Sequence, residues 1–244
     1  MPQNIFEVER VLDWNKRTES FTEKQKNKYK VAWAKMKEFK AMLKDKSKEW
    51  NVTIEDKKER LKCEQMMSKN GFNMLRAYSE SDYDPLTTFR TWGNTDCRLI
   101  YDKNMERIET LDSYGPNLIY GYQKLHRILT VSSRDIYQMI YWEIEADGSI
   151  YMVVYEQIED TPEETDCVRM RLPIGGCLFE PMPNDPTKTK TTLFLEADLC
   201  GYIPGYVQKQ ALKDTAYSLA FVRKTMKEYV KNHTKLMEEN PVIE

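Results

Sequence analysis

The sequence predicts an α+β fold: a curved, largely antiparallel sheet packed around a long C-terminal helix, behind an N-terminal helical extension. Three observations predict it. Residues 50–197 break into short apolar runs with period-two alternation, separated by turn residues. Residues 204–232 instead repeat apolar side chains at helical steps (Val207, Ala211, Leu212, Leu219, Val222, Met226, Val230) and so form one wide stripe. Ahead of the strands, residues 20–47 set Tyr29, Ala32, Trp33, Met36, Phe39 and Leu43 three and four apart with lysines between them, the pattern of a basic amphipathic helix.

From the N-terminus, residues 5–14 (Phe6, Val8, Val11, Leu12, Trp14) read as a short helix, and the polar residues 15–20 as a hinge before the basic helix. Strands fit residues 50–54, 60–67 and 72–79, the last two joined by the Ser68-Lys69-Asn70-Gly71 turn. Asp84-Pro85 puts a capping carboxylate before a proline at the first helical position, so a helix starts there and stops at Gly93-Asn94; a second runs from Thr95 to about Asn104. Further strands fit 118–125, 136–145 and 150–158, the last two closed by the tight Asp147-Gly148 turn. On the 136–145 strand, Ile136, Gln138, Ile140, Trp142 and Ile144 share one face, and Tyr137, Met139, Tyr141 and Glu143 the other. Beyond an acidic loop at 159–166, strands at 167–172, 177–180 and 187–197 bring the count to about nine, with Gly175-Gly176 read as a turn. A sheet that large curls. The organisation is therefore an extension over 1–47, its basic helix at about 20–47, and a main domain over 48–235.

Composition narrows the function classes. Mean hydropathy is −0.70, and no apolar run approaches the ~20 residues of a membrane-spanning helix. The start of the chain shows neither a basic region leading into an apolar core nor an arginine-rich presequence, so a cytoplasmic location is expected. Five cysteines without a Cys-x-x-Cys pair, and two distant histidines, His126 and His233, predict neither a disulfide framework nor a metal site. No cofactor is expected. Residues 1–50 carry 13 Lys/Arg against 8 Asp/Glu, while the remainder holds 24 against 31. Without a domain-wide basic bias, a nucleic-acid partner is not expected.

Several motifs, in order, resemble the START (StAR-related lipid-transfer) domain. Val131-Ser132-Ser133-Arg134-Asp135, followed by a strand, an Asp-Gly-Ser hairpin and another strand, is similar to that family's central signature. Arg98-Leu99-Ile100-Tyr101-Asp102 resembles its Arg-x-x-Trp-Asp, with Tyr101 in place of Trp. Cys167-Val168-Arg169-Met170 resembles the strand after its omega loop. Lys188-Thr189-Lys190-Thr191, Asp198 and Gly201-Tyr202-Ile203-Pro204 resemble its final strand and the start of its last helix. The likeness covers about residues 48–232. It implies a helix-grip fold with one lipid in a tunnel between sheet and last helix, and a gate formed by 159–166 and 204–232.

The same resemblance makes Arg98 and Asp102 candidates for the lipid head group. Four apart on a helix they share a face, so the carboxylate can orient the guanidinium toward a phosphate, or the pair can simply brace the helix. Candidate cavity walls are Tyr122, Ile136, Ile140, Trp142, Tyr155, Val207, Ala211 and Val222. Ile136 stands where choline-binding relatives have an aromatic, and Ile140 where sterol-binding relatives commonly have an arginine. A phospholipid-like ligand is therefore expected over a sterol, in a cavity of several hundred Å³.

Function thus reads as non-enzymatic lipid binding and transfer, with transient membrane contact. The alternative is a structural or adaptor subunit that docks a protein partner through residues 1–48. No Gly-x-Ser-x-Gly, phosphate-cradling loop or His/Cys/Asp cluster points to an enzyme, and Glu163-Glu164 reads as solvated loop.

Overall fold

The structure, a computed structural model, describes residues 20–45, 49–127, 131–159, 161–162 and 166–239, with side chains as far as 232. The short helix expected at 5–14 and nearly all of the hinge lie outside the described residues.

Helix α1 (Glu23–Lys44) starts at a capping box, the Gln25 amide donating to the Thr22 hydroxyl and the Thr22 amide to the Gln25 side chain. Tyr29, Ala32, Met36 and Phe39 lie on one face and are all buried. Helix α2 (Pro85–Gly93) begins as expected, the Thr87 amide donating to the Asp84 carboxylate at 3.0 Å. Asn94 ends α2, and its side chain caps α3 (Thr95–Tyr101) by accepting from the Cys97 amide at 2.9 Å. Helix α4 (Gly205–Glu239) follows the sheet.

The strands are β1 (Asn51–Asp56), β2 (Leu61–Met67), β3 (Asn73–Ser81), β4 (Met105–Gly115), β5 (Leu118–Leu125), β6 (Arg134–Ile144), β7 (Ile150–Glu156), β8 (Val168–Arg169), β9 (Arg171–Met182) and β10 (Asp185–Asp198). They form one sheet in the order β1-β2-β3-β10-β9-β7-β6-β5-β4, antiparallel except that β8 pairs with β6 in parallel. β4 has no counterpart in the sequence reading. It is an edge strand, and its exposed Glu106, Arg107, Thr110, Asp112 and Ser113 erase the alternation that would mark a half-buried strand. The span 167–172 holds two strands, β8 and the start of β9.

Gly175-Gly176 is not a turn. Both residues lie inside β9, paired with β7 and β10. A Cβ on Gly176, whose φ is 150°, would stand 2.0 Å from the Met152 carbonyl oxygen, and one on Gly175 would stand 3.0 Å from Leu195. Only glycine lets the neighbouring backbone come this close.

Both faces of the sheet are covered. Helices α2, α3 and α4 pack on the inner face through Phe89, Trp92, Tyr101, Leu219, Val222 and Met226, against Leu75, Trp142, Phe179 and Leu193. Helix α1 packs on the outer face, against Met74, Leu118, Met139, Tyr141, Val153 and Phe194. Its basic side faces away from that core, with Lys40 pairing to Glu143 at 2.6 Å and Glu145 at 2.7 Å. The Tyr29 hydroxyl donates to the Asn117 side-chain oxygen (3.0 Å), and the Asn117 amide donates to the Trp142 carbonyl (2.7 Å), tying the helix to the β4–β5 turn.

Two stability predictions follow from this packing. Phe39→Ala should cost about 3–5 kcal/mol, as for a buried aromatic in any core; a shift in urea midpoint worth less than about 1 kcal/mol would show α1 to be loosely attached. Gly176→Ala should cost about 3 kcal/mol from overpacking and backbone strain together, and equal urea midpoints for variant and wild type would show that β7 and β9 can separate freely.

Candidate functional site

Between α4 and the inner face of the sheet run two adjoining cavities. The inner one has a volume of 170 Å³ and is lined by Arg98, Asp102, Ile136, Ile140, Met152, Val154 and the Gly175-Gly176 pair, among others. The outer one measures 100 Å³, with Arg134, Ile203, Val207, Gln208 and Ala211 in its wall. Asn104, Leu125, Met170, Leu195 and Thr215 border both, so the two cavities share a wall. Neither cavity reaches the several hundred Å³ expected from the sequence; Met170 and Leu195 stand in the wall that the two share.

In the wall of the inner cavity, Arg98 and Asp102 meet as their spacing predicts, Nη2 to Oδ2 at 2.8 Å. The guanidinium lies over the Trp92 ring at 5.1 Å, and Nη1 donates to the Tyr101 hydroxyl at 3.3 Å. Burial works against the arginine's charge, but Tyr101 and Asp102 outweigh it and raise its pKa. Arg98 Nε is buried and has no hydrogen-bond partner among the described residues. Asp102 also accepts from the Asn104 amide at 3.1 Å, which fixes the carboxylate at the end of α3.

The wall candidates divide. Ile136 and Ile140 line the inner cavity, and Val207 and Ala211 the outer one. Trp142 and Val222 face the same side but are packed into the core, Trp142 against Phe89 at 5.9 Å. Tyr122 and Tyr155 lie on the opposite face: Tyr122 packs on Tyr137 at 4.9 Å, and Tyr155 belongs to the cluster beneath α1. An aromatic spacing of two along a strand fixes a shared face without saying which face it is. The sequence reading also missed Gln138, Met170, Leu195 and Thr215, which line the cavities. The period-two face shared by Ile136, Gln138 and Ile140 was the signal for the first of these.

Beside the cavities, Asp135 is fully buried and takes a two-pronged ion pair from Arg169, at 2.7 and 3.0 Å. Arg169 also donates to the Pro162 carbonyl at 3.1 Å, so one residue links β6, β8 and the loop that leads back to β7. Asp166, in the same loop, pairs with Lys124 at 2.9 Å. Glu163 and Glu164 lie outside the described residues. Burial pushes the Cys97 thiol up to about 11 and raises Cys177 as well, so both stay protonated at neutral pH. No group of three His, Cys, Asp or Glu among the described residues is placed to hold a metal ion.

The family model of the START domain matches residues 30–236. The chain belongs to the START domain family. The match begins within α1, ahead of the boundary expected at residue 48. In sequence this START domain is 27% identical over 110 residues to StAR-related lipid transfer protein 5 of Bos taurus, covering 44% of this chain and 52% of that protein. It is 24% identical over 136 residues to the mitochondrial steroidogenic acute regulatory protein of Equus caballus, covering 50% and 48%. The chain thus spans about half the length of these relatives. In structure it is similar to human StAR-related lipid transfer protein 5, with a TM-score of 0.73 and 20% identity over 84% of this chain and 99% of that one. Human STARD10 follows at a TM-score of 0.71 and 16% identity, over 84% and 83%. These likenesses establish the fold. Among the described residues no helix is long and apolar enough to cross a membrane.

Asp135→Asn should cost about 3 kcal/mol, since it leaves Arg169 facing a buried neutral side chain, and should expose the loop at 159–166 to proteolysis. Unchanged melting and unchanged cleavage would assign the bracing of that loop to Lys124 and Asp166 instead.

Proposed function

We propose that this START domain is a non-enzymatic lipid carrier that holds one phospholipid in a tunnel between sheet and α4, its phosphate on Arg98 and its chains along the apolar wall. The observation that carries this reading is Arg98 itself: a part-buried guanidinium in the wall of the inner cavity, oriented by Asp102 and retaining a buried Nε without a partner among the described residues. Two acyl chains leaving water supply the driving force, about 0.8 kcal/mol per CH₂. Met170 and Leu195 have to move for a chain to pass from one cavity into the next, and methionine, unbranched and flexible, moves at low cost. Loading and release occur during transient contact with a membrane, from a cytoplasmic pool. The names of the matched relatives, lipid transfer protein among them, support a carrier over an enzyme. An adaptor role through residues 1–48 has less support, because α1 already spends its apolar face on the sheet.

Native mass spectrometry of protein purified from its own source should show a retained phospholipid. Removing Arg98 alone would strand the buried Asp102, so the variant to compare is Arg98→Met combined with Asp102→Asn. It should bind phospholipid vesicles or micelles roughly tenfold to a hundredfold more weakly, the worth of a charge-assisted hydrogen bond, while melting near the wild-type temperature. Unchanged phospholipid binding in a folded double variant would reduce the pair to a brace between helix and sheet.

A further inference from the structure

Two arginines stand in the cavity walls, Arg98 part-buried and Arg134 buried, and they are balanced differently. Arg98 has Asp102. Arg134, in the wall of the outer cavity, is only 6% exposed and has no carboxylate partner among the described residues. Its donors go to three backbone carbonyls instead: Nε to Leu199 at 3.1 Å, Nη1 to Ser132 at 2.5 Å and Nη2 to Cys200 at 3.0 Å. Those bonds satisfy hydrogen-bonding capacity but cancel no charge, and burial lowers the arginine's pKa from its ordinary value. The acid next to it in sequence, Asp135, is on the other side of β6 and fully engaged by Arg169.

The surroundings of Arg134 suit an anion attached to an apolar body. Asn73, Asn104, His126, Ser132, Gln208 and Thr215 add polar groups to the cavity wall, whereas Leu125, Val131, Met170, Leu195, Val207 and Ala211 are among its apolar residues. The first turn of α4 borders the same space through Val207 and Gln208, and the positive end of a 35-residue helix favours negative charge. No acid appears in the wall of this cavity.

We propose that the outer cavity is an anion subsite, in which Arg134 holds the carboxylate or phosphate of a single-chain amphiphile whose chain extends into the inner cavity, an alternative cargo to a phospholipid seated on Arg98. This goes beyond the phospholipid reading, since it makes net negative charge in the outer cavity a determinant of which lipid is held. A zwitterionic or neutral lipid leaves Arg134 uncompensated; a fatty acid or a lysophosphatidate neutralises it.

The test compares the binding of oleate, oleoyl lysophosphatidate and the uncharged oleyl alcohol to the full chain at pH 8 and low salt, followed by tryptophan fluorescence. Wild type should bind at least one of the two anions tenfold or more tightly than oleyl alcohol. Preference for oleate identifies a carboxylate ligand, and preference for lysophosphatidate alone a phosphate. Arg134→Gln should erase the preference while keeping oleyl alcohol binding. Because that variant also loses bonds to the segment leading into α4, Arg134→Lys is measured beside it: it keeps the charge with fewer carbonyl bonds and should retain most of the preference. Equal affinity of wild type for anions and alcohol would overturn the proposal while leaving the carrier reading intact. So would a preference that survives in Arg134→Gln, or one lost equally in Arg134→Lys. Failure of all three amphiphiles to bind would remove the subsite, while the carrier reading is decided separately by the phospholipid binding of wild type against the Arg98/Asp102 double variant.

Discussion

A sheet with apolar side chains on both faces cannot leave either one in water, and most of this structure follows from that constraint. Met139, Tyr141 and Val153 point to one side, and Trp142, Met152 and Phe179 to the other. The outer set needs a helix, and α1 supplies one whose stripe of Tyr29, Ala32, Met36 and Phe39 matches it. The inner set is larger and curved, and three helices share it. A straight helix laid across a curved surface touches it unevenly. The two cavities lie in the space left over between α4 and the concave face.

Within that space the polar side chains are few and their assignments differ. Asp102 is committed to Arg98, and Asp135 to Arg169 on β8. Arg134 instead gathers the carbonyls at the start of α4, where the chain turns through left-handed backbone at Cys200 (φ 54°) and Gly201 (φ 70°). The arginine that holds the end of β10 in place therefore also stands in the wall of the outer cavity. Positioning of α4 and the electrostatics of the outer cavity thus rest on one side chain.

Much of this architecture was legible in the sequence because its signals are local. The Asp84-Pro85 cap, the Asp147-Gly148 hairpin and the long stripe of α4 each declare themselves within a few residues. The failures have a shared cause as well. β4 is an edge strand whose surroundings are mostly solvent, so nothing in its composition needed to alternate. Gly175-Gly176 resembles a turn by composition, and only the approach of Met152 from a neighbouring strand reveals why glycines sit there. The head-group pair could be read from its four-residue spacing, whereas the placement of Tyr122 and Tyr155 could not: with both faces of the sheet buried, alternation separates two sets of residues and leaves open which set meets the cavity.

The strand order carries a consequence for how the molecule comes into being. At the middle of the sheet, β3 pairs with β10, residues 73–81 with residues 189–197. A chain leaving the ribosome thus completes β1, β2 and β3 early, and their free edge waits until residue 198 has been made. At about 5–20 residues per second that interval is on the order of ten seconds. Throughout it Leu75 and Ala77 on one side, and Met74 on the other, have no partner from β10, α1 or α4 in place. Helix α1, which precedes the sheet in the chain, finds most of its surface only after β6, β7, β9 and β10 exist. The nascent domain therefore keeps an unpaired strand edge and apolar surface open until its last strand arrives, and a chain shortened before β10 keeps that edge for good, the kind of surface that pairs with other chains.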